Sequence, residues 1–188
     1  MMKPPSSLSR QTGATLIEVM VSALIVAFGV LAMIALQSNA IKFSKTSEYR
    51  SIATLLANDL ADRMRVNASQ AALATSSPYD VTDTYSRSKA VPARLECKDA
   101  TNCSADELAK RDVGEWKRAL YFSLPGGNGY VKTNATDRVV DVWVAWQDPG
   151  EVEAAAPGSK SECPTVFVAA DAKDQPRCMF FRIALPPV

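Results

Sequence analysis

The hydrophobic positions are segregated. Ala14 to Leu36 reads ATLIEVMVSALIVAFGVLAMIAL, an apolar run with a single ionisable side chain, Glu18. As a helix it is roughly 35 Å long, enough to cross a bilayer core. A polar leader, Met1 to Gly13, precedes it and carries Lys3 and Arg10 but no acid. From Gln37 to Val66 there is no Gly or Pro. Ile52, Leu56, Leu60 and Met64 recur every fourth position with Leu55 adjacent, an amphipathic stripe that predicts helix up to Val66 and docks on the rest of the chain. Asp59, Asp62, Arg63 and Arg65 fall on the other positions and read as a solvated face. The whole rod is expected to run about 80 Å.

Beyond Val66 the pattern changes. Asn67 to Ala100 is rich in Ser, Thr, Ala and Asp and reads as a long irregular connection. Ser104 to Glu107 has the S-x-x-E capping pattern, and Ala109, Val113, Trp116 and Leu120 follow at helical spacing. A helix over 105–119 is predicted, with Trp116 as a core anchor. Leu124 to Gly129 is a turn. It lacks the Gly-Lys-Ser/Thr ending and βαβ setting of a phosphate loop. Tyr130-Val131 starts a short strand. In Val139 to Trp146 a strand places Val140, Val142, Val144 and Trp146 on one face and Trp143 on the other. Asp148 to Ser161 is a loop, and two further strands are expected at 165–169 and 179–185. The predicted class is α+β: a long N-terminal helix and a small antiparallel sheet. The expected division is 1–13 leader, 14–66 helix with 14–36 apolar, and 67–188 head.

Composition narrows the chemistry. The 188 residues carry 21 Lys+Arg against 20 Asp+Glu, a net +1, so no basic excess points to nucleic acid. There is no histidine, which removes Ser-His and Cys-His nucleophile pairs and His-containing zinc sites. No acid–base or nucleophile constellation is visible, so neither enzyme nor cofactor is expected. The four cysteines, Cys97, Cys103, Cys163 and Cys178, form no C-x-x-C. An even count in an exported chain favours disulfides. Three pairings are possible, the sequence-local one being Cys97–Cys103 with Cys163–Cys178. Flanking cations stand on both sides of the apolar run (Lys3, Arg10; Lys42, Lys45, Arg50), so charge does not set the topology. Cysteine usage places the C-terminal region outside the cytoplasm. A rival reading is signal-peptide cleavage after Ser38-Asn39-Ala40, but the apolar run is too long for a signal core.

A carboxylate near the start of a membrane helix is costly unless it finds a partner or the interface. The string Gly13-Ala14-Thr15-Leu16-Ile17-Glu18-Val19 resembles the prepilin peptidase motif of type IV pilins and type II secretion pseudopilins. The resemblance implies cleavage after Gly13 on the cytoplasmic side, N-methylation of Ala14, and Glu18 as the fifth residue of the mature chain. Ala14 stands where that family most often has Phe. It also implies that the new amine pairs with Glu18 of a neighbouring helix, which sets axial register as one buried polar residue does in a coiled coil. The Cys-x5-Cys pair, the Glu-Leu-Ala…Trp helix, the Leu-Pro-Gly-Gly turn and the Val-Trp-Val-Ala-Trp strand are similar to those of PilV-like minor pilins. That resemblance implies the type IV pilin fold and a non-enzymatic role in priming pilus assembly at or near the tip, supporting twitching motility and adhesion. The implied partners are other minor pilins, the major pilin, prepilin peptidase and a tip adhesin. The implied location is the inner membrane with the head in the periplasm, then the pilus. The alternative is a minor pseudopilin of type II secretion.

Overall fold

A computed structural model describes residues 15–73, 76–97, 102–148, 162–167 and 175–187. The chain divides into two units, Met1–Ile41 and Lys42–Val188. Helix α1 (Leu16–Val66) begins in the first and ends in the second.

In the first unit every described side chain is exposed, including Leu16, Ile17, Ile25, Phe28 and Leu36. A helix apolar on all sides and buried on none is matched to lipid or to other helices. Its length and composition suffice to cross a membrane. The leader, with Gly13 and Ala14, lies outside the described residues.

The second unit is α+β, as expected. It holds the end of α1, a short helix α2 (Ala68–Ala71), helix α3 (Ala105–Ser123) and strands β1 (Asn128–Asn134), β2 (Val139–Trp146) and β3 (Arg177–Ala184). The sheet is antiparallel in the order β1-β2-β3. Helix α3 starts as its sequence dictates. Ser104 Oγ accepts from the Glu107 amide, and the Glu107 carboxylate accepts from the Ser104 amide. It runs four residues past the predicted end, to Ser123, because Pro125 and Gly126 (φ 60°) stop it only there.

Pleating splits β2 as anticipated. Val140, Val142, Val144 and Trp146 are fully buried against the helices. The face that α1 presents differs from the predicted stripe. Its buried residues are Ala53, Ala57, Leu60, Ala61 and Met64, with Ile52 and Leu56 at the margin, while Leu55 is exposed. Three alanines let other core groups approach the helix backbone. Trp116 uses that opening, and its Nε1 donates to the Leu56 carbonyl at 2.9 Å. Across α3, Gly129 of β1 leaves room for the indole, since a Cβ there would lie 2.2 Å from Trp116 Cη2.

Two segments depart from the sequence expectation. The connection after α2 is pinned rather than loose. Tyr79 is fully buried, and Val81 exchanges both amide hydrogen bonds with Val131 at 2.9 Å. The strand predicted at 165–169 is instead a 3-10 turn over Thr165–Phe167, with the Phe167 amide bonded to the Pro164 carbonyl; residues 168 and 169 lie outside the described set. The reason is where Cys178 points. It sits opposite Ala145, on the sheet face away from the helices. Cys163–Cys178 therefore draws the segment over that face instead of along an edge. Phe167 fills the space and buries Ala145 against Tyr85 and Tyr130 as a second small core. The other bridge is Cys97–Cys103, so the pairing is the sequence-local one.

Candidate functional site

Glu18 lies in the first turn of α1, where a carboxylate suits the positive end of the helix dipole. Its amide donates to the Thr15 carbonyl at 3.0 Å, and its carbonyl accepts from Ser22 Oγ at 2.7 Å. Among the described residues nothing pairs with its carboxylate. The backbone is thus ordered around Glu18 while the side chain stays exposed. Of the other predicted site residues, Gly13 and Ala14 lie outside the described residues, and the four cysteines are all in the second unit, joined two by two.

The second unit carries a polar centre that sequence reasoning placed in solvent. Arg63 of α1 donates to Asp59 (3.0 Å), Asp112 (3.2 Å) and Glu115 (2.9 Å). Asp112 is nearly buried and also accepts from the Tyr79 hydroxyl at 2.9 Å. Burial works against the Arg63 cation, but Glu115, Asp59 and Asp112 outweigh it and raise its pKa. Burial, above all, raises the Tyr79 hydroxyl. The hydrogen bond from Arg63 is the main cause that lowers Glu115, helped by Arg111. One cation thus ties α1, α3 and the 76–81 segment together. The signal available was spacing: Asp112 and Glu115 lie on one α3 face at i, i+3, beside the buried Trp116.

Arg63→Met should cost about 2 kcal/mol at pH 7, because it leaves the Asp112 and Glu115 carboxylates side by side without their cation. The pH dependence has a definite sign. Glu115 has a depressed folded pKa, so its contribution is complete above the ordinary carboxylate range and is lost as pH falls through the folded value. The gap between parent and variant should hold from neutral pH down to about 5 and shrink below about 4. Urea unfolding at the two ends checks it; an equal gap at both, or none at pH 7, contradicts this role.

An open cleft of about 560 Å³ lies between Tyr49 of α1, Arg87 and Lys89 of the connection, and the end of α3 with the turn after it. Lys89 pairs with Asp83 at 3.4 Å, and Asp83 also takes Lys117 at 2.6 Å. No group of three or more His, Cys, Asp or Glu side chains is placed to hold a metal among the described residues.

Comparison with protein families matches residues 35–114 to the family described as Type IV pilin Tt1218. The matched stretch runs from the end of the apolar segment through the second half of α1 and the connection into α3. It does not include the Gly13–Val19 string, so motif and match come from separate parts of the chain. No curated protein and no solved structure matches.

Proposed function

Because the chain belongs to the type IV pilin family, a family of structural rather than catalytic proteins, we propose that it is a PilV-like minor pilin. In this reading it helps prime pilus assembly and enters the fibre at or near the tip, in support of twitching motility and adhesion. The observation that carries the reading is the first unit: a largely apolar helix exposed on every side, with Glu18 as its one ionisable side chain among the described residues. Such a surface is stable in water only if covered. Lipid covers it before assembly, with the head in the periplasm. Partner helices, of other minor pilins and of the major pilin, cover it afterwards.

Prepilin peptidase cuts after Gly13, and Ala14 becomes a methylated amine. That amine is a cation at the end of a greasy helix. Paired with Glu18 of a neighbour in low dielectric, it offsets two charges that are costly alone. The pair fixes the stagger, because apolar packing by itself tolerates sliding. The head then chooses partners, a tip adhesin among them, through its own surface.

Mass spectrometry of the membrane-extracted protein should find a mature N-terminus at Ala14. An N-terminus at Met1 removes the assembly role, and one at Ile41 makes the chain a secreted protein. Glu18→Ala should insert normally but enter sheared pili at about a tenth of the parent level, the loss of roughly 1.4 kcal/mol. Equal incorporation contradicts the pairing. Deletion separates the two machines: lost twitching supports the pilus, lost exoprotein release supports the pseudopilin.

A further inference from the structure

The turn between α3 and β1 ends in Asn128-Gly129, an amide side chain followed by a residue with none. The Gly129 amide stands outside the sheet ladder. Val131 exchanges both main-chain bonds with Val81, and the Thr133 amide donates to the Asp80 carboxylate. Alternate residues of β1, Gly129 among them, therefore turn their main-chain groups away from β2. The Gly129 amide donates instead to Asn128 Oδ1 at 2.9 Å. Cγ of Asn128 is one bond of about 1.2 Å further on, so it lies within about 4 Å of the Gly129 nitrogen. Rotation about the Asn128 bonds brings the two to attack distance, with no Cβ on residue 129 in the way. Asn128 Nδ2 is buried and donates to nothing among the described residues. Its departure breaks no hydrogen bond and removes an unsatisfied donor.

What the pair lacks is water, since Asn128 is only 4% exposed. The register sets Asn128, Ala145 and Cys178 in one row on the sheet face away from the helices. Phe167 covers that end of the face, tethered by Cys163–Cys178. We propose that Asn128-Gly129 is a deamidation site that the Cys163–Cys178 bridge keeps closed. Water or hydroxide takes the Gly129 amide proton, and the nitrogen bonds to Asn128 Cγ. The Cγ–Nδ2 bond breaks and ammonia leaves with a proton returned from the solvent, so a succinimide ring remains. Water then opens either C–N bond of the ring, which leaves aspartate or isoaspartate at position 128. No electrons are gained or lost. Either product puts a carboxylate against Ala145 in an apolar recess. Isoaspartate also adds a methylene to the main chain beside the seat of Trp116. Loss of one bridge is thereby written into the head as a permanent change.

The test incubates the full chain in detergent at mildly alkaline pH. Three forms are compared: the parent, the Cys163/Cys178 double alanine variant and the Cys97/Cys103 double alanine variant. Trypsin frees the peptide Ala119–Lys132, in which Asn128 is the only amide side chain. In mass spectrometry this peptide should exchange an amino group for a hydroxyl and split into two peaks of equal mass, aspartate and isoaspartate. Conversion should be about tenfold faster in the Cys163/Cys178 variant than in the parent, because local opening then suffices to admit water. The Cys97/Cys103 variant, which loses the bridge before α3, should keep the parent rate. Four results overturn the proposal: equal rates in all three forms, equal acceleration in both variants, aspartate without isoaspartate, or an intact Asn128 in the Cys163/Cys178 variant over the time in which the urea-unfolded chain converts.

Discussion

Gly129→Ala is expected to destabilise the head by about 3 kcal/mol, close to 10 °C in melting temperature for a domain of this size. The cause is space alone. The glycine has no positive φ to lose. The added methyl would stand 2.2 and 2.5 Å from Trp116 Cη2 and Cζ3, and 2.8 Å from Leu120 Cδ1. The indole has little room to retreat, because its other edge is held by the bond to the Leu56 carbonyl. A fully buried ring in a close-packed core moves only by moving its neighbours. Gly114→Ala is the matched control. Its nearest neighbours are side-chain atoms of Leu95 at 3.4 and 3.5 Å, ordinary contact. Being mid-helix in α3, it should be neutral or gain up to about 0.8 kcal/mol. All three tryptophans lie in the second unit, so their fluorescence follows this unfolding without interference from the apolar helix. Equal midpoints for Gly129→Ala and the parent would mean that Trp116 is not seated against β1.

Removing Cys163–Cys178 by a double alanine substitution should cost about 3 kcal/mol, and removing Cys97–Cys103 about 2 kcal/mol. The difference follows from the sequence separations, 15 against 6, through the chain entropy released on unfolding. The first loss has a local signature as well. Without the bridge, the packing of Phe167 over Ala145 between Tyr85 and Tyr130 loses its covalent tether, so near-ultraviolet dichroism from those tyrosines should fall before global melting. An unchanged midpoint in the Cys163/Cys178 variant sinks the account of the second core. A larger loss from Cys97/Cys103 reverses the entropic order.

Where one element dictates its own burial, sequence and structure agree. Val139–Trp146 alternates because a sheet has two faces, and β2 obeys it. The capping box at Ser104 is local chemistry and needs no tertiary partner. Disagreement begins where burial is decided by another element. Alanine contributes little to an apolar stripe, yet Ala53, Ala57 and Ala61 are the contact face, because Trp116 needs a close helix backbone. Arg63 reads as solvated because its partners lie some fifty positions away. Tyr79 and Val81 sit in a run too short for any period to register, and only the β1 edge makes that run a partial strand. Thr165–Phe167 is β-prone in composition, but a disulfide to an outward-facing cysteine overrules it. For the N-terminal site the sequence carries more than the fold: Glu18 is visible as an anomaly at once, while its expected partner belongs to another molecule.

The polar ties between the rest of the head and α1, together with the Asn67 that follows it, are spread along the helix. Thr46 bonds Asp148, the Leu56 carbonyl takes Trp116, Arg63 takes Asp112 and Glu115, and Asn67 bonds the Ala105 carbonyl. They span roughly 30 Å of axis. Tension applied along that axis loads all four at once, in shear, rather than opening them one after another like a zipper. A load entering at one end of the helix is thereby shared along the whole contact, with no single bond having to be strong.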